Sequence, residues 1–289
     1  CNRARDAVSR AWQASCIKPH RLFATALIAC VLSGSVPLMS DAATPASPAF
    51  KPLTWDDLTK RPRPEPDATV AYGTDSMQKV DVWLPRGKGP FPTVLMVHGG
   101  CWTTSNADRT LMNWVADDLR RSGVAVWNID YRGVDRAGGG YPGTFSDAAK
   151  AADQLSISAR KFNLDTGRVV AVGHSAGGHL ALWLAARTRL PADSPLRVTH
   201  PLRLAHVVSL GGLPDLEATA NSPDNGCGTE VVGKLVGTDR ADPYADTSVP
   251  RLLPLGVATS RIVTVEEQVE QVEQVEAALA KGEDVHSVL

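Results

Sequence analysis

The 289-residue chain carries 30 Lys and Arg against 31 Asp and Glu, and 43% of its residues are hydrophobic. A near-neutral balance without a clustered basic stripe argues against a nucleic-acid partner, since phosphate backbones are held chiefly by massed cations. The apolar content suffices for a core on both faces of a sheet, which argues against a disordered body, and the length fits one large α/β domain behind a leader.

The chain opens with Cys1, and Asn2 to Ile17 lacks the character of a targeting segment, so these residues read as translated upstream sequence with a start near Ile17. Lys18-Pro19-His20-Arg21 then precedes an apolar run from Leu22 to Leu32, broken by Ser33-Gly34-Ser35 and Pro37. Basic, apolar and broken, followed by small residues, is the pattern of a secretory signal peptide, with Ser40-Asp41-Ala42 as its cleavage site. The run is shorter than the ~20 residues a span needs, so no stable membrane span is expected after cleavage. Residues 1–42 are read as upstream segment plus signal peptide, 43–67 as a Pro-rich linker, and 68–289 as the domain. The expected location is periplasmic or secreted. Leu27-Ile28-Ala29-Cys30 resembles a lipobox, and lipid anchoring at Cys30 is the alternative. Beyond the leader only Cys101 and Cys227 remain; an exported protein can pair them, and an unpaired buried thiol is the competing reading.

Strand-like runs appear at Lys79 to Leu84 and Thr93 to Val97. Arg109 to Arg121 places Leu111, Met112, Val115 and Leu119 on one helical face, and Ser122-Gly123 stops it. Val124 to Ile129 reads as a buried strand. Thr144, with Asp147 three residues on, resembles a capping box opening a helix from Ala148 to Phe162. A further strand, Val169-Val170-Ala171-Val172, runs into Gly173-His174-Ser175-Ala176-Gly177-Gly178 and then a helix-like stretch from Leu180 to Ala186. Leu204 to Leu210 is the next strand. Gly211 to Pro250 is long, polar and rich in Gly, Pro, Asp and Asn, as lids and binding loops are. The tandem Gln-Val-Glu triplets at 268–276 read as a solvated helix face without chemistry. Apolar strands alternating with helices predict a doubly wound, mainly parallel sheet.

Strand before and helix after turn the G-x-S-x-G match at Ser175 into a nucleophile elbow, a strained turn that exposes the serine oxygen above the carboxyl end of the sheet. His98-Gly99-Gly100-Cys101-Trp102 closes the strand expected beside it. Attack by a serine on a carbonyl creates an oxyanion, and backbone amides stabilise it without reorganising. The amides of Gly100, Cys101 and Ala176 are the candidates for this oxyanion hole. Trp102 and Tyr131, at strand ends, are candidate substrate-pocket residues that could equally just pack. His98 is expected to hydrogen-bond the loop, and His174 and His179 to pack or line the pocket. His200 and His206 lie before or within the following strand.

His98-Gly99-Gly100-Cys101-Trp102, Asp130-Tyr131-Arg132-Gly133 and Gly173-His174-Ser175-Ala176-Gly177-Gly178 resemble the α/β-hydrolase superfamily, in its kynurenine formamidase and feruloyl/acetyl-xylan esterase-like branch. The resemblance runs from about Val80 to Gly211. It implies an α/β-hydrolase fold and a serine hydrolase of small-molecule esters or amides, with no metal or cofactor and a triad in chain order Ser, Asp or Glu, His. Cleavage of small esters is the leading reading. Aryl formamidase activity is the second, and a hydrolase-fold binding protein without a working triad is the third.

The last third departs from that pattern. Taking Arg261 to Val265 as the strand before the acid makes Glu270 the tentative acid; aligning Ser260 to Thr264 with the segment that opens on the acid puts Ser260 there instead. His286 falls on the approach to a last strand and reads as a strand residue, so the base is unassigned. The domain is therefore expected to be truncated at its C-terminal end.

Overall fold

A computed structural model of the chain describes residues 60–262. The signal segment, Cys30, the Gln-Val-Glu triplets, Glu270 and His286 lie outside the described residues.

Seven strands form one sheet: β1 (Ala68–Ala71), β2 (Lys79–Trp83), β3 (Phe91–Val97), β4 (Ala125–Ile129), β5 (Leu164–His174), β6 (His206–Leu210) and β7 (Ala258–Ile262). Their order across the sheet is β1-β2-β4-β3-β5-β6-β7. β1 and β2 pair antiparallel with their neighbours, and every pairing from β4 to β7 is parallel. This is the expected doubly wound, mainly parallel α/β-hydrolase sheet.

Alternation along the strands divides the interior in two, because successive side chains point to opposite faces. Leu95 and Val97 of β3 join Trp127 and Ile129 of β4 in the larger cluster, which is closed by α2 (Gly143–Phe162) and α3 (Ala176–Ala186). Val94 and Met96 of β3, with Val126 of β4 and Trp83 of β2, face the other way. Met112 and Ala116 cover them, from a 3-10 turn (Arg109–Met112) that leads into α1 (Asn113–Arg121). Every residue of α3 is buried, as befits a helix apolar all round.

Several local expectations are corrected. The predicted helix 109–121 is interrupted, with its first turn tightened to 3-10, and Val115 is exposed; Ala116 takes the inward position. The capping box at Thr144 does not form. α2 already begins at Gly143 because Thr144 and Asp147 are used elsewhere. The Thr144 hydroxyl donates to the Arg132 carbonyl at 2.6 Å, and the buried Asp147 carboxylate accepts from the Arg132 guanidinium at 2.7 and 2.9 Å and from Gln78 at 2.8 Å. The stretch 211–250 carries two helices, α4 (Leu216–Asn221) and α5 (Thr229–Val236), whose Leu216, Val232, Leu235 and Val236 are buried in the larger cluster. The spacing of Val232, Leu235 and Val236 is a helical signal hidden by the polar composition around it.

Candidate active site

β3 and β5 bring the two glycine-rich strand ends together. Val97 pairs with Gly173 in parallel register, so two residues further on Gly99 comes level with Ser175. The approach is close: a Cβ on Gly99 would sit 2.9 Å from the His174 carbonyl oxygen and 3.2 Å from the Ser175 Cβ. A Cβ on Gly177 would overlap the carbonyl oxygens of Val97 and His98. Only glycine lets these two turns touch.

Ser175 has φ 51° and ψ −124°, outside the regions that L-residues adopt freely. Its amide donates to the Leu210 carbonyl of β6 at 2.8 Å, and its carbonyl accepts from Gly178 at 2.7 Å, so the strained backbone is pinned on both sides. The hydroxyl has no hydrogen-bond partner among the described residues. Ala176, wholly buried at the first position of α3, has an amide with no acceptor there. The amides of Gly100 and Cys101 likewise find no acceptor among the described residues. Three amides without an acceptor among the described residues therefore lie around the adjoining strand ends.

The turn after β3 is itself strained. Gly100, Cys101 and Trp102 have φ of 112°, 54° and 52°. The Thr103 amide donates to the Gly100 carbonyl at 3.0 Å and the Val134 amide to the Trp102 carbonyl at 2.7 Å. Cys101 is joined to Cys227 in a disulfide, the paired alternative of the two left open by the sequence.

Trp102 and Tyr131 are corrected as pocket residues, being 0% and 2% exposed. Trp102 turns inward to donate its indole N–H to Nδ1 of His179 at 3.2 Å. Tyr131 stacks on His98 at 4.5 Å between ring centroids and donates its hydroxyl to the His98 carbonyl at 2.9 Å. Both are supports of the turn. Burial pushes the Tyr131 phenol far above its ordinary range, so it stays a neutral donor.

His98 is buried as expected, with Nε2 2.9 Å from Oδ1 of Asp130. Asp130 is a buried support of the turn that the sequence marks only through the resemblance of Asp130-Tyr131-Arg132-Gly133. Its other oxygen accepts from Arg109 at 2.9 Å, and Arg109 also reaches Asp81 at 2.7 Å. A chain of hydrogen-bonded polar side chains thus runs beneath the turn from β2 through β4 to β3.

His179 sits in the larger core with Nε2 donating to the Thr247 carbonyl at 2.9 Å and Nδ1 accepting from Trp102, which fixes one neutral tautomer. Burial pushes its pKa down to about 4. His206 lies at the amino end of β6, four residues from the end that meets Ser175, and holds the Ser260 hydroxyl at 2.9 Å. Ser260 stands in mid-β7 opposite Val208. His200 lies on the 198–203 loop, beside a surface cleft lined also by Asp153 and Ile157. His174 is exposed at the tip of the elbow. Among the described residues, then, no histidine is hydrogen-bonded to Ser175.

A cleft of about 640 Å³ is lined by Asp67, Leu84, Arg86, Asp117 and Arg120 at the amino end of the parallel strands. It is at the opposite end of the sheet from Ser175. No three His, Cys, Asp or Glu of the described residues are grouped to hold a metal ion, and no described helix is long and apolar enough to cross a membrane.

The chain is similar to an esterase of Gibberella moniliformis, 26% identical over 50% of this chain and 51% of that protein. A versiconal hemiacetal acetate esterase of Dothistroma septosporum is 30% identical over 37% of this chain and 31% of its own length. A kynurenine formamidase of Aspergillus versicolor is 27% identical over 54% and 55%. The chain thus spans about half the length, or less, of these relatives. Among solved structures, an inhibited esterase B of Lactobacillus rhamnosis superposes with a TM-score of 0.58 at 20% identity, covering 76% of this chain and 75% of that one. A bifunctional GH43-CE protein of Bacteroides eggerthii gives 0.56 at 21% identity, covering 72% of this chain and 33% of that one. At such identities the likeness is one of fold. The family model described as BD-FAE matches residues 80–250, more than half of the chain, and takes in both glycine-rich strand ends and the segment that carries Cys227. The chain belongs to the BD-FAE family, within the α/β-hydrolase superfamily.

Proposed function

We propose that the protein is an exported serine hydrolase that cleaves small carboxylic esters through an acyl-enzyme on Ser175. The observation that carries this reading is the strained backbone of Ser175, set level with a turn whose Gly100 and Cys101 amides have no protein acceptor. The Ser175 oxygen bonds to the ester carbon, and the carbonyl oxygen takes the negative charge. The amides of Gly100, Cys101 and Ala176 stabilise it, each worth about 10²- to 10³-fold in rate. Collapse expels the alcohol with a proton; water then attacks the acyl group, releasing the acid and restoring the serine. Glu270 is the proposed acid, and the base that takes the Ser175 proton and returns it to the departing alcohol is unassigned. Esterase names among the relatives support the ester reading, and a disulfide beside the elbow together with the basic-apolar leader supports export.

Two other readings each have an observation in their favour. The kynurenine formamidase relative favours aryl formamide hydrolysis on the same serine. The unpartnered Ser175 hydroxyl favours a binding protein that keeps the fold without turnover. Fluorophosphonate labelling of the 289-residue chain, beside Ser175→Ala, separates enzyme from binding protein. Rapid labelling that requires Ser175 is expected, and its absence overturns the hydrolase reading. Faster hydrolysis of 4-nitrophenyl acetate than of N-formylkynurenine is expected, and the reverse preference selects the formamidase.

A further inference from the structure

We propose that Cys227 is a positioning residue for the reaction at Ser175: through its disulfide to Cys101 it holds the Cys101 amide toward the developing oxyanion, so that catalysis depends on the oxidised bond. The inference rests on the proposed hydrolysis.

Cys101 is the middle of three consecutive residues with positive φ, and it is neither glycine nor asparagine. An L-residue in this conformation is unfavourable by itself and persists only where its surroundings impose it. Of its two neighbours, Trp102 is held from the domain body, through the Val134 amide and the contact of its indole with His179, and Gly100, which as glycine tolerates positive φ, is held within the turn by its carbonyl bond to the Thr103 amide. Cys101 is half-buried; its carbonyl accepts from the Thr103 hydroxyl at 3.0 Å within the turn, while its sulfur reaches across to the 226–227 segment, bonded to Cys227 with the two Cα atoms 5.2 Å apart and 3.8 Å from the Gly226 carbonyl oxygen.

The far end of the bond is anchored well enough to act as a strap. The Asn225 side-chain oxygen accepts from the amides of Cys227 and Gly228 at 2.7 and 2.8 Å. Its Nδ2 donates to the carbonyls of Thr219 and Ser222 at 2.7 and 2.8 Å. Cys227 is thereby fixed to the end of α4, and packs against the larger core. Two segments 126 residues apart in sequence meet at one backbone amide whose placement sets the transition-state charge. A displacement well under 1 Å at such a donor is felt in kcat, whereas ground-state binding of a small ester is little changed.

The test compares the oxidised full chain with Cys227→Ser and with the Cys101→Ser/Cys227→Ser pair, which excludes effects of a freed thiol. Expected for both variants is a fall of about tenfold or more in kcat and in the rate of Ser175 phosphonylation, with KM within about twofold. Amide exchange in a peptide covering 99–103 is expected to quicken, while that of β3 and α3 stays as in the wild type. A water-soluble phosphine acting on the folded wild type reproduces the loss. The S–S bond breaks, two thiols form, and the phosphine leaves as its oxide with oxygen and protons from water; reoxidation restores the rate. Unchanged phosphonylation and unchanged exchange at 99–103 after loss of the bond overturn the proposal. If the oxidised chain shows no Ser175-dependent labelling at all, the hydrolase reading fails, and the exchange at 99–103 still decides whether the bond holds the turn.

Discussion

Every residue from Thr93 to Gly99, along β3 and into its turn, is buried, whereas all five residues of β7, separated from it by β5 and β6, are exposed. The turn of β3 is held from several sides: His98 by Asp130, Trp102 by His179, Tyr131 by stacking, Cys101 by a covalent bond. β7 is held by main-chain pairing to β6 and by one side-chain contact to it, from Ser260 to His206. Main-chain pairing accepts almost any residue type, while packing against a buried turn accepts few. The turn that faces Ser175 is therefore specified many times over, whereas β7 is specified, within the described residues, by little beyond its pairing. The same contrast explains why Ser175 could be assigned from the sequence and its partners could not.

The sharpest way to break the comparison is Ser175→Ala. It is expected to lower ester hydrolysis and fluorophosphonate labelling by at least about 10³-fold while leaving the thermal midpoint nearly unchanged; a smaller loss would move the chemistry off the elbow. Next is Asp130→Ala. Asp130 is wholly buried and faces both His98 and Arg109, so removing it leaves the buried His98 ring without that partner and Arg109 with Asp81 alone, and is expected to destabilise the fold by about 1–3 kcal/mol in urea unfolding. A loss under 1 kcal/mol would mean that the network beneath the turn is not a support.

His179 gives a pH-dependent test of the same region. Its folded-state pKa is depressed by burial to about 4, from 6.5 when exposed. The unfolded chain binds this proton first on acidification, so the stability due to the neutral ring is fully present above pH 6.5 and falls by about 3 kcal/mol as the pH drops to 4. His179→Gln, which retains a donor and an acceptor but does not titrate, should flatten that slope in denaturant titrations at pH 7 and 4.5. Equal slopes would count against the buried neutral ring. The smallest effect belongs to β7: Ser260→Ala is expected to change stability by under about 0.5 kcal/mol and to leave labelling untouched. A large loss of labelling would restore Ser260 to the acid's place and β7 to the site.

The parallel sheet, the elbow at Ser175 and the facing turn at Gly100 were legible because each rests on a local requirement: alternating apolar strands, and glycine where two backbones approach too closely for a side chain. Other features depended on partners distant in the chain. Thr144 and Asp147 have the spacing of a helix cap, yet Arg132 and Gln78 compete for them and α2 starts earlier. Trp102 and Tyr131 sit at strand ends as pocket residues would, yet His179 and His98 draw both inside. The helical spacing within 229–236 was masked by polar neighbours, and burial against the larger core resolved it.

The fold class and the place of the elbow at Ser175 follow from the sequence alone, through periodicity and residue size at fixed offsets. Only the tertiary structure decided that Asp130 supports His98, that His179 is neutral, and that Cys101 meets Cys227 across 126 residues. Those are contacts between segments whose separation along the chain carries no periodic signal, and they exist only once the sheet has brought its strand ends together.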